Sequence, residues 1–108
     1  MKQSPKYKIN NNAITSVLSW EFGHTPNTGS PYIDVRLDHN ISWRGWLTDR
    51  AFSNTMKQLR HMGLKGTVSD LMCNRESLPV NVEVTAKIDE IRDYNGTYYY
   101  KASFINRV

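Results

Sequence analysis

At 108 residues the chain has the length of one domain of common size, able to bury a single core without covalent staples. Its 39% apolar and 22% charged content fits a soluble globular protein, and the single cysteine, Cys73, excludes an intramolecular disulfide and points to a reducing cytosol. The net charge of +4 favours a polyanion or an acidic partner, and no apolar run approaches membrane-spanning length.

The segment Met1–Asn12 is polar, carries Lys2, Lys6 and Lys8 without an acid, and reads as a flexible N-terminus lacking the apolar stretch of a signal peptide. A cytoplasmic protein with no membrane contact is therefore expected. Ala13 to His24 reads as a long first strand, with Ile14, Leu18, Trp20 and Phe22 in phase. His24 to Pro31 is dense in turn formers and makes a loop. Tyr32 to Asp38 then alternates, placing Ile33, Val35 and Leu37 on one side and Tyr32, Asp34 and Arg36 on the other.

Asp38-His39-Asn40 is a tight turn into a third strand, Ile41–Thr48. Alternation puts Ile41, Trp43, Gly45 and Leu47 on an apolar face and Ser42, Arg44, Trp46 and Thr48 on the opposite one. Thr48 or Asp49 can cap a helix whose Phe52, Met56 and Leu59 form an inward stripe, ended by Gly63. Residues 64–79 are irregular, with a short turn at Ser69–Met72. Val80, Val82, Val84, Ala86 and Ile88 alternate as a fourth strand, and Asn95-Gly96 is a strong hairpin signal into a fifth, Thr97–Asn106.

The order strand, strand, strand, helix, strand, strand predicts a mainly β domain over residues 13–108: an OB-fold, a five-stranded barrel with its helix between strands three and four. Strands two and three and the flanking loops are where this fold binds oligonucleotides and oligosaccharides.

If those strands pair through the turn at 38–40, their outward faces join, and the joint face carries Tyr32, Arg36, Arg44 and Trp46. Aromatic rings beside guanidinium groups suit nucleobases next to phosphates. The bland alternative is a sheet face whose arginines merely solubilise it, with Trp46 covered by the helix or a loop. On the fifth strand Tyr99 shares a face with Lys101 and is a further binding candidate, whereas Tyr98, Tyr100 and Phe104 read as core. Trp43 and Trp20 also fall in apolar phases. The helix residues Arg50, Lys57 and Arg60, with Lys65 beyond, read as a solvated face.

Chemistry finds little support. His24, His39 and His61 lie in three different elements, Cys73 reads as a buried structural thiol, and no glycine-rich phosphate loop is present. No catalytic residue, metal or cofactor is expected.

The run Ile41–Ala51, with its Trp43-Arg44-Gly45-Trp46-Leu47-Thr48 strand, followed by Thr55–Leu59 and Met62–Gly66, resembles a group of small proteins of tailed phages and prophages. Their middle section pairs such a strand with a helix and a glycine-punctuated turn, here Gly63, Gly66, Asp70 and Leu71. The ending is similar too: an Asn-Gly turn, an aromatic-lysine strand, then Phe104-Ile105-Asn106. The resemblance implies an OB-fold single-stranded DNA-binding protein of replication or recombination, holding DNA without chemistry. It would bring phage replication or recombination proteins as partners.

On this reading Trp46, Tyr32 and Tyr99 stack bases while Arg36, Arg44 and Lys101 meet the backbone, with low sequence specificity. RNA is a variant ligand. A free barrel edge would allow a homo-oligomer of unspecified order. The acidic C-terminal tail of many phage single-strand binders has no counterpart in Asn106-Arg107-Val108, so tail-mediated recruitment is not carried over. The rival reading is a small phage protein that inhibits a host protein through the same aromatic face, since Trp, Tyr and Arg also dominate protein hot spots.

Overall fold

A computed structural model describes residues 4–108. Five strands and two helices follow one another as β1 (Asn12–His24), β2 (Pro31–Leu37), β3 (Ile41–Trp46), α1 (Asp49–His61), α2 (Val68–Met72), β4 (Glu83–Tyr94) and β5 (Thr97–Arg107). The strands close into a barrel in the order β1-β2-β3-β5-β4. All pairings are antiparallel except β3 with β5, which run parallel through Ile41↔Tyr100, Ser42↔Lys101 and Trp43↔Ala102. This is the OB-fold, with its main helix between the third and fourth strands.

Turn chemistry fixes the registers. His39 and Asn40 take left-handed backbone angles (φ 65° and 59°) between β2 and β3. Asn95 and Gly96 (φ 54° and 86°) join β4 to β5 directly across Tyr94↔Thr97, the two-residue hairpin that Asn-Gly favours. Barrel closure comes from β1, whose first half pairs with β4 and second half with β2. The open edge expected to permit self-pairing is therefore occupied.

That double duty bends β1, and the bend corrects its expected phase. Val17 pairs with Leu37 and Ser19 with Arg36, so Leu18 is an extra, bulged residue. An added residue moves every later side chain to the other face. Ala13, Thr15 and Val17 therefore point inward before the bulge, and Trp20 and Phe22 pack against the core after it, while Ile14 and Leu18 are exposed. Irregularities at Ser103 and Asp89 act alike on β4 and β5: Ile105 is buried and Phe104, expected in the core, is exposed against His61.

The helix stripe is corrected too. Thr48 is the N-cap residue, without a side-chain capping bond, and the buried residues of α1 are Thr55, Gln58 and Leu59, not Phe52. The reason lies in the barrel, whose ends present backbone groups that need partners. Thr55 Oγ1 donates to the Trp46 carbonyl (2.6 Å), and Gln58 Oε1 accepts from the Ile105 N–H (2.7 Å).

The turn at 69–72 is the helix α2, opened by a reciprocal capping box between Thr67 and Asp70. These hydrogen bonds, the Thr67 backbone N–H foremost, hold the Asp70 carboxyl below its ordinary range. Cys73 caps the end of α2 and is exposed rather than buried, because only Val68 and Leu71 of that short helix reach the core. β4 starts at Glu83, leaving Val80 and Val82 exposed ahead of it.

The expected flexible stretch 1–12 divides. Met1–Gln3 lie outside the described residues, whereas 4–11 is fastened across the barrel end. The Lys6 N–H donates to Tyr100 Oη (2.8 Å), Tyr7 packs edge-on against Tyr100 (5.1 Å between centroids), and the Asn10 N–H donates to the Ile88 carbonyl (2.7 Å). Among the described residues no helix is long and apolar enough to cross a membrane.

Candidate nucleic-acid interface

Strand pairing lays the outward side chains of the barrel in rows. The first row is Gly23 on β1, Tyr32 on β2 and Trp46 on β3; the next is Glu21, Asp34 and Arg44; the third is Ser19, Arg36, Ser42 and, across the parallel pair, Lys101 on β5. All four residues expected on the β2–β3 face are thus brought together. Tyr99 and Lys101 continue that face on β5.

The alternation of β3 splits its tryptophans as its sequence implies: Trp43 is 3% exposed and Trp46 38%. Inside, Trp43 lies against Gly45, where an added Cβ would overlap its ring and the Thr55 methyl. Outside, Trp46 meets the Tyr32 ring edge-on, with centroids 5.8 Å apart and planes at 79°. The helix does not cover it.

Arg44 is more committed than sequence suggested. Its Nε and Nη2 donate to the two carboxylate oxygens of Asp34 (2.7 and 2.9 Å), a bidentate pair of the strong, oriented kind. The hydrogen bond to Asp34 raises the Arg44 pKa above its ordinary value. The guanidinium carbon also sits 3.7 Å from the Tyr32 centroid and 5.6 Å from that of Trp46. The hydroxyl end of Tyr32 lies over Gly23, where a Cβ would stand 2.6 Å from Oη. Tyr32 is therefore held between Arg44 and the bare backbone of Gly23, which leaves Trp46 as the more available ring.

Arg36 forms no ion pair within the described residues and is exposed. Lys101 Nζ stands 3.6 Å from Glu90, which also binds Arg92 Nε at 2.8 Å. The Arg92 hydrogen bond holds the Glu90 carboxyl below its ordinary range, and Arg92 is in turn raised. Tyr99 is exposed and meets the ring of Tyr94 edge-on at 5.7 Å.

A shallow cleft of about 610 Å³ runs over this face, bordered by Trp20, Glu21, Arg36, Arg44, Trp46, Asp89 and Lys101. Through Arg36, Ser42 and Lys101 it opens into a wider space of about 1000 Å³ by the β4–β5 hairpin. Arg50, Lys57, Arg60 and Lys65 are exposed but border neither space.

Sequence reasoning missed Asp34, Gly23, Glu90 and Tyr94 as parts of this surface. Asp34 was within reach: alternation already faced it outward, and the 38–40 turn sets it opposite Arg44. Gly23 depended on the bulge in β1, for which the local sequence carried no signal. Among the described residues no group of three or more His, Cys, Asp or Glu side chains is placed to hold a metal ion. His61 Nδ1 is hydrogen-bonded to the Ile105 carbonyl (2.9 Å), and His39 stands beside Asp38.

Comparison of the chain with family models, curated proteins and solved structures finds no match.

Proposed function

We propose that this protein binds single-stranded DNA without catalysing a reaction on it. The observation that carries the reading is Trp46: an indole left outside the core, braced by Tyr32 and Arg44 on the outer β2–β3 face, with Arg36, in no ion pair among the described residues, two rows away. A base can stack on the indole while a guanidinium meets the neighbouring phosphate, and stacking of this kind is worth roughly 1–3 kcal/mol per base. The net charge of +4 supports a polyanionic ligand. Every base offers a ring face, so sequence preference is slight. The resemblance of the Trp43–Thr48 strand to small phage proteins supports a place in phage replication or recombination, within a host cytoplasm.

Titration of Trp46 fluorescence with oligo-dT at low salt tests the proposal. Saturable quenching that weakens as salt rises is expected, and oligo-U at equal salt distinguishes RNA. Absence of binding to oligo-dT overturns it.

One observation favours a protein ligand instead. Glu21, Asp34 and Asp89 border the same cleft, and acids repel phosphate while suiting a protein partner's cations. On that reading the Trp46–Tyr32 face is the hot spot through which the chain inhibits a host protein. Failure of oligo-dT binding would promote it.

A further inference from the structure

The third outward row does not end the surface. β3 and β5 are parallel where they pair, so moving from Trp46 back to Ser42, across to Lys101 and back to Tyr99 follows one direction along the barrel. That path covers six residue steps, about 20 Å at roughly 3.3 Å per residue. At its far end Tyr99 meets Tyr94, 56% exposed, and Arg92 lies opposite Tyr99 on β4. The other bank of this wider space is the strap formed by residues 4–11, which contributes Lys6. The strap is seated by its backbone and by Tyr7, and the Lys6 ammonium stands 5.4 Å from the Tyr7 ring centroid without an ion pair among the described residues.

We propose that the Tyr94–Tyr99 pair and Lys6 form a second subsite for single-stranded DNA, with Arg36 and Lys101 between the two stations. A strand then lies lengthwise along β3 and β5, from Trp46 to the β4–β5 hairpin. This rests on the reading of the outer face as a DNA surface and extends it. The charge balance supports the placement. Near Trp46 the cations face Glu21, Asp34 and Asp89, whereas Arg36 between the stations and Lys6 at the hairpin end have no ion-pair partner within the described residues, and Asp38 is the acid that borders the wider space.

The test compares oligo-dT of about 4 and about 16 nucleotides, the ends of the usual range for one OB-fold. Both titrations are read by Trp46 quenching on the full chain. Tyr94→Ala combined with Tyr99→Ala should weaken the long oligomer between about fivefold and a hundredfold, the equivalent of one lost stacking contact. Binding of the short one should stay unchanged. Lys6→Gln should reduce the salt slope for the long oligomer by about 0.7, and leave that for the short one alone.

These side chains are exposed, and an unchanged thermal midpoint would confirm that the variants fold. Equal effects on both lengths, or none on either, overturn the second subsite while leaving Trp46 as the DNA platform. If neither length binds the wild-type chain, both readings fall together.

Discussion

The two faces of the β2–β3 hairpin are built from neighbouring residues and do opposite work. Inward, Ile33, Val35, Leu37, Ile41 and Trp43 are sealed in the barrel. Outward, Tyr32, Asp34, Arg44 and Trp46 are ordered by ring contacts and one ion pair beside an exposed Arg36, and this face stays open to solvent. On the proposed function, the pleat separates stability from recognition at one-residue resolution. Substitutions on the two faces should therefore have effects that barely overlap.

The largest test of that separation is Trp43→Ala. Removing a buried indole should cost about 3–5 kcal/mol, read as a fall in the urea midpoint. Trp46→Ala, three residues on, should weaken oligo-dT binding by about 1–3 kcal/mol with the urea midpoint almost unchanged; anisotropy of a labelled oligomer replaces the lost quenching signal. Equal loss of stability in both variants would break the comparison.

Gly23→Ala tests whether the outer face is organised at all. Its methyl would displace Tyr32 and loosen the Arg44 stack, so binding should weaken severalfold while the fold persists, as read by titration and circular dichroism. Arg36→Gln should be milder, reducing the salt slope by about 0.7 as one phosphate contact is lost.

The smallest effect lies away from both faces. The folded Asp70 carboxyl is held below its ordinary value, so its stabilising contribution is present above the unfolded pKa and lost as pH falls through the folded one. Asp70→Asn should therefore lower the thermal midpoint near neutral pH. The difference from wild type should shrink under strong acid, and DNA binding should be untouched.

The fold was legible because its punctuation is local. Asn95-Gly96 and Asp38-His39-Asn40 mark their turns, and strict alternation in β2 and β3 separates Trp43 from Trp46 without any knowledge of tertiary structure. Where reading failed, a distant partner decided the outcome. Leu18 is bulged because β1 must serve two neighbours, and that one residue put Ile14 and Trp20 on opposite faces and placed Gly23 beneath Tyr32. Phe52 yielded the inner side of α1 to Thr55 and Gln58 because strand ends elsewhere needed hydrogen bonds. The rings of the candidate site were thus readable, but their bracing was not.

The hydrogen bond from Thr55 to the Trp46 carbonyl carries a mechanical consequence. The last residue of β3 is pinned to α1 there, and the next backbone N–H, that of Leu47, is held by the Pro31 carbonyl at 2.9 Å. A polymer dragged across the indole would load these two anchors in shear before it could peel the strand, so force applied at the ring passes directly into the helix. Thr55→Val would remove one anchor, so if the proposed binding holds, the surface should hold a strand at rest and yield sooner under tension.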